Sequence, residues 1–151
     1  MRVTIVAVGK MKASPAKEMM QDYLKRLPWQ VEIKEVEAKK GLCGDALQKQ
    51  EGELLLAAVP KGAKKIVLDE RGKVVGSIDF SKKLKSFEMD SGHVAFVIGG
   101  ADGHGKVVKQ SADMLLSFGA MAWPHMMVRA MLAEQVYRAY TISTGHPYHR
   151  E

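Results

Sequence analysis

The stretch Val94-Ala95-Phe96-Val97-Ile98-Gly99-Gly100-Ala101-Asp102-Gly103-His104-Gly105 decides the fold. Its first five residues form an unbroken apolar run rich in β-branched side chains, which reads as a strand buried on both faces. Two glycines stop it at once. Glycine after such a strand lets backbone amides and carbonyls approach a ligand closely. The spacing is not G-x-G-x-x-G, and no G-K-[S/T] follows, so the dinucleotide fingerprint and the P-loop are both poor readings. By itself the segment reads first as a tight strand-to-helix turn.

Outward from that strand the pattern alternates. On the N-terminal side, Lys65 to Asp69 reads as a strand followed by an Arg71-Gly72 turn signal. Ser77 is placed to cap a helix that carries Phe80, Leu84 and Phe87 on one side. Earlier still, Arg2 to Val8 is a strand closed by Gly9, and Val31 to Glu37 is another. Between them Ser14-Pro15 starts a helix with Ala16, Met20, Tyr23, Leu24 and Leu27 at helical spacing, ended by Pro28. A loop at Gly41 to Gly44 leads to a helix face of Leu47, Glu51, Leu54, Leu55 and Ala58, stopped at Pro60. On the C-terminal side a short helix spans Lys106 to Ser111 and a brief strand Met114 to Phe118. The last helix starts at Pro124 and runs to about Ile142. Strands alternating with helices predict a single α/β domain over residues 1–151, with a mostly parallel sheet covered on both faces. In such sheets ligands bind beyond the carboxyl ends of the strands, near a switch in strand order. The loops after Leu68, Ile98 and Leu116 are therefore the ones to watch.

Composition narrows the setting. Hydrophobic residues make up 46% and charged residues 26% of the 151, which is ordinary for a globular domain. The lone Cys43 cannot form an internal disulfide, and no apolar run approaches a membrane span, so a cytoplasmic chain without membrane association is expected. Against 17 acidic residues stand 23 Lys and Arg, a formal charge of +6 that favours a polyanionic partner.

Three further stretches carry candidate chemistry. Leu116-Ser117-Phe118-Gly119-Ala120-Met121-Ala122-Trp123-Pro124-His125 is a loop of small and apolar residues, suited to burial or to walling a flat apolar ligand such as an adenine ring. In the last helix, Val128, Met131, Leu132, Gln135 and Ala139 form one stripe and Met126, Ala130, Ala133, Tyr137 and Tyr140 another. A helix apolar on most sides is buried all round or packs against a second subunit, and a homodimer is expected. Glu134 and Arg138 are spaced to pair, and Arg129 is a candidate for an interface or for RNA. The tail His146-Pro147-Tyr148-His149-Arg150-Glu151 gathers two imidazoles, a phenol and a guanidinium. With no H-E-x-x-H pattern and one distant cysteine, no metal is expected, and proton transfer or phosphate contact suits these groups better.

Taken together, the Leu-Asp strand end, the Ile-Gly-Gly-x-x-Gly loop, the Leu-Ser-x-x-x-Met-x-x-Pro-His segment and the Tyr-Arg-Ala…His-Pro-Tyr-His-Arg-Glu tail resemble the large-subunit rRNA pseudouridine N3-methyltransferases of the SPOUT class. The resemblance runs over essentially the whole chain, and its tail and Pro-His helix start are the most specific parts. It implies an α/β fold with a C-terminal deep trefoil knot, a homodimer, and S-adenosylmethionine held in the knot as methyl donor. The cofactor site it implies is Leu68, Gly99, Gly100 and the stretch Phe118, Gly119, Ala120, Met121, Ala122 and Trp123. Relatives commonly carry Ser-Lys-Met-Thr where this chain has Gly119-Ala120-Met121-Ala122, which leaves mostly backbone groups to bind there.

The reaction so implied places a methyl group on a ring nitrogen whose proton must leave. His149 is expected to accept or relay that proton, Arg150 to hold a phosphate or offset the developing anion, and Tyr148 to stack on the base. No appended RNA-binding module is visible, so an assembled ribosome presenting its large-subunit rRNA is the expected partner. Two other readings stay open: a SPOUT enzyme for a tRNA base or ribose, and a non-catalytic RNA-binding or assembly protein on the same fold.

Overall fold

The computed structural model describes residues 1–150; the tail's Glu151 lies outside the described residues. Within them five strands, β1 (Arg2–Val8), β2 (Gln30–Val36), β3 (Lys64–Val74), β4 (His93–Ile98) and β5 (Met114–Ser117), form one sheet in the order β2-β1-β4-β3-β5. Every neighbouring pair is parallel. Five helices, α1 (Pro15–Leu24), α2 (Gly44–Ala58), α3 (Ser77–Ser91), α4 (Lys106–Gln110) and α5 (His125–Thr144), complete the α/β architecture.

β4 sits at the centre, as its composition requires. Phe96 pairs with Ile5 on one side and Ile66 on the other, and all six residues of the strand are buried. Period-two alternation then sorts the core. Ile5, Ile66, Phe96, Ile98 and Leu116 point to one face, where Phe80, Leu84 and Phe87 of α3 and Leu132 and Val136 of α5 cover them. Val6, Val67 and Val97 point to the other, against Leu55 of α2 and Val108 of α4. Each of these fully buried side chains contributes roughly 1.5–3 kcal/mol.

Local signals place most helix ends. The Ser14 hydroxyl accepts from the Lys17 amide at 3.2 Å with Pro15 at the first helical position, a cap worth about 1 kcal/mol. Three readings are corrected. Arg71-Gly72 does not turn the chain: β3 continues to Val74 across a register shift, with Leu68 and Lys73 both opposite Leu116. A Cβ on Gly72 would lie 2.8 Å from the carbonyl carbons of Leu115 and Leu116, so this glycine permits close approach of two strands. Ser77 is not a cap. Gly76 holds that position, and the Ser77 hydroxyl donates to Gln135 Oε1 at 2.8 Å, tying α3 to α5.

Arg129 is the third correction. It faces neither RNA nor a partner, being 1% exposed beneath α5. Its guanidinium donates to Glu35 Oε2 at 2.6 Å and to the carbonyls of Val8 and Gly9 at 2.8 and 2.7 Å. The apolar stripes of α5 are likewise largely covered within the chain: Ala130 and Ala133 pack on Met11 and Met20, and Leu132 and Val136 on the sheet. Met127 remains outside, 45% exposed.

Candidate active site

The irregular stretch of β3 after Leu68, expected as a loop, meets the loops after β4 and β5, and together they enclose a cleft of about 440 Å³. Of the residues expected to hold a cofactor, Leu68, Gly99, Gly100, Phe118, Gly119, Met121, Ala122 and Trp123 line it. Ala120 is exposed and is not part of its wall. Ile98 and Leu116 supply apolar floor at the strand ends, and Val128 and His125 close the side toward α5.

A side chain at either glycine after β4 would be crowded. A Cβ on Gly99 would lie 3.1 Å from Cε1 of His104, and one on Gly100 would lie 3.0 Å from Glu51 Oε2 and 3.2 Å from Val8 Cγ1. The loop is pinned from outside by Gln48, whose amide donates to the Asp102 carbonyl at 2.9 Å. In the wall after β5, Gly119 has φ +113, a value open to glycine and strained for other residues. The Ser117 hydroxyl accepts from the Gly119 amide at 3.0 Å, fixing the start of that loop. The departure from Ser-Lys-Met-Thr is thus accompanied by a backbone conformation suited to glycine.

The sequence did not reveal the polar rim. Asp69, Arg71, Asp102, His104 and Lys109 all line the cleft, with Lys109 Nζ 3.5 Å from Asp69 Oδ2. Asp69 lay within reach of the strand-end rule. Gln48 did not, because it belongs to a helix brought in from 54 residues away. Glu51 lies behind Gly100, buried, and burial first and Asp102 second push its carboxyl above the usual range. Burial likewise lowers His125, with Arg129 adding to the effect.

The tail is elsewhere. Tyr148, His149 and Arg150 do not line the cleft of their own chain. The Tyr148 hydroxyl donates to Glu134 Oε1 at 2.9 Å and its ring packs edge-on against Tyr137, 4.9 Å between centroids. Burial, with the Tyr23 and Glu134 bonds, raises its phenol well above the ordinary value. Glu134 also receives Arg138 in a two-pronged pair at 3.0 and 2.5 Å, as the spacing predicts. Arg138 Nη1 lies 3.2 Å from His149 Nδ1. Because a guanidinium only donates, that nitrogen accepts, and the hydrogen of a neutral His149 ring sits on Nε2. Arg150 is exposed. Among the described residues no three His, Cys, Asp or Glu side chains group as a metal site would require.

A parallel sheet with a glycine-walled cleft beyond its carboxyl ends is the arrangement in which α/β proteins generally hold small ligands. Comparison with known proteins makes the class specific. Residues 1–149 match the family model described as "Predicted SPOUT methyltransferase". The chain belongs to the SPOUT methyltransferase family, whose members use S-adenosylmethionine as methyl donor. It is 55% identical over 152 residues to the ribosomal RNA large subunit methyltransferase H of Paramagnetospirillum magneticum, with 99% of both chains covered. Proteins of the same name from Rhodospirillum centenum and Chromobacterium violaceum are 51% and 46% identical, covering 99% and 100% of each chain.

Proposed function

We propose that this protein methylates N3 of a pseudouridine in large-subunit ribosomal RNA, on the assembled ribosome, as a cytoplasmic homodimer. The observation that carries this is the cleft. Eight of the nine side chains or backbone positions expected to cradle the methyl donor converge there, in a chain whose full-length relatives are named for ribosomal RNA. The residues fit such a donor. The turn at Gly99-Gly100 carries no side chain and is tight for a Cβ, which leaves backbone at the surface, and Leu68, Ile98, Leu116 and Phe118 provide apolar wall for an adenine ring. The trefoil knot implied by the family belongs to the same proposal.

S-adenosylmethionine supplies an electrophilic methyl group already activated by its sulfonium. The chain's task is to position that group and to manage the proton of the accepting nitrogen. His149 and Arg150 take that second task. Held by Arg138, His149 presents Nε2–H as a donor; Nδ1 accepts a proton only once Arg138 moves away. Arg150, exposed at the tail, contacts phosphate or the developing anion, and Tyr148 orders the tail and, once released from Tyr137 and Arg138, stacks on the base.

Since the tail stands off from its own chain's cleft, it serves the cleft of a partner. An apolar groove of about 810 Å³ between α1, α5 and the end of β3 supports a second copy: it is lined by Ala16, Met19, Val74, Met127 and Met131. Glu134, which anchors Tyr148, lies in its wall.

The test incubates the protein and methyl-labelled S-adenosylmethionine with intact ribosomes, separated subunits and bulk tRNA unmodified at the target. Label in a large-subunit pseudouridine, with intact ribosomes preferred, is the expected result. Label confined to tRNA overturns the substrate. No transfer together with no donor binding by calorimetry overturns the enzyme reading for this cleft. An unchanged rate in His149→Ala removes that histidine from the mechanism.

A further inference from the structure

Among the described residues three buried side-chain atoms lack a hydrogen-bond partner: Glu51 Oε1, His104 Nε2 and Arg129 Nε. The last is accounted for, since the other guanidinium nitrogens of Arg129 make three bonds. Glu51 stands behind Gly100 and does not line the cleft. His104 differs from both. It lines the cleft, it is only 6% exposed, and its ring lies against the slot where a Cβ of Gly99 would go, with Cε1 at 3.1 Å and Nδ1 at 3.2 Å.

A buried imidazole nitrogen without a partner destabilises the free protein, and leucine would fill much of the same volume without that loss. The Val97 and Leu68 backbone approaches the ring, yet Nε2 itself is left without a partner. The surroundings keep the ring neutral: burial lowers its pKa first, against the opposing pull of the Asp69 carboxylate and the Val97 and Leu68 backbone, with Lys109 adding to the lowering. A neutral ring offers one donor and one acceptor. His104 lines the cleft beside the glycine turn, and a ligand seated against its ring can supply the missing bond with a small turn of the imidazole.

We infer that His104 is a ligand-contacting residue of this cleft, its Nε2 hydrogen-bonding a polar atom of the bound methyl donor while its ring fixes the width of the Gly99 turn. This rests on the proposed function of the cleft. No chemical step is assigned to His104; it holds the ligand.

Three proteins decide it: the full chain, His104→Leu and His104→Gln, whose side-chain amide reaches the position of Nε2. Calorimetric titration with S-adenosylmethionine and with S-adenosylhomocysteine gives affinities, and thermal unfolding without ligand gives stability. His104→Leu is expected to melt at or above the parent temperature and to bind both ligands about tenfold more weakly, the loss of one hydrogen bond. His104→Gln recovers most of that affinity. In long-range nitrogen spectra of the parent protein, the Nε2 resonance of His104 shifts on saturation with either ligand. His104→Leu binding within twofold of the parent, or an Nε2 resonance unmoved on saturation, overturns the inference and leaves the cofactor cleft intact. If the parent binds neither ligand, the cofactor reading falls and this inference with it. Should His104→Leu fail to fold, the nitrogen resonance and His104→Gln still decide.

Discussion

The molecule has two concave regions that share a wall. The cleft at the strand ends is built from loops, with glycine turns and a charged rim of Asp69, Arg71, Asp102 and Lys109. The groove is built from the faces of α1 and α5 and the outer end of β3, and apart from Glu134 and a few neutral polar groups it is apolar. Leu116, Phe118 and Gly119 line both. Loops can aim backbone groups at a small polar ligand, whereas helix faces present side-chain surface that only another apolar surface covers well. The two regions are thus built from different material, and one short segment after β5 touches both.

The largest expected effect removes what holds the two regions together. α5 borders both, and Arg129 fastens it to β1 and β2. Arg129 is buried while Glu35 stands at the surface; burial pushes the Glu35 carboxyl up, but the Met11 amide and the Arg129 guanidinium together hold it below its usual range. Arg129→Ala leaves the Val8 and Gly9 carbonyls without their donor and empties a buried site, and is expected to cost about 3 kcal/mol, read from urea unfolding. If the cost is slight, the two regions do not depend on this anchor.

Next in size is a change confined to the groove. Met127→Lys puts a charge on the apolar face and is expected to weaken self-association roughly a hundredfold by light scattering, with unchanged circular dichroism. A dimer that survives it seats on some other surface.

On the cleft side, Glu51→Gln is expected to stabilise the protein by about 1 kcal/mol at pH 8 and not at all near pH 4. The sign follows from the raised carboxyl. Below its unfolded-state pKa the group is protonated in both states, and ionisation penalises the folded state as pH rises through the folded value. Glutamine never ionises, so its advantage appears only above that range. Melting temperatures across pH check this, and a constant difference would assign the effect to something other than ionisation. The smallest effect belongs to Ala120→Ser, which is expected to leave donor affinity and stability unchanged, since residue 120 faces solvent between the two regions.

Much of this was legible beforehand, for identifiable reasons. The apolar run of β4, the cap at Ser14-Pro15 and the helical spacing of Phe80, Leu84 and Phe87 are local signals, and local sterics obey them. The strand-end rule and the family resemblance directed attention to the same three stretches, after Leu68, Ile98 and Leu116, and the cleft lies there, although the first is the irregular middle of β3 and not a loop. Gly72 misled because a glycine needed for close strand approach resembles a glycine needed for a turn. Arg129 misled because burial of a charge depends on acceptors from residues 8, 9 and 35, far away in the chain.

By itself the sequence determined the parallel α/β sheet, its central strand and the positions of its ligand loops, because hydrophobic period and glycine placement act over neighbouring residues. Only the tertiary structure decided which polar groups enter the cleft, which cation is buried, and that the tail lies away from its own chain's cleft. Those outcomes rest on contacts between residues tens of positions apart. Their energies arise from desolvation and hydrogen bonding, which exist only once the chain has closed on itself.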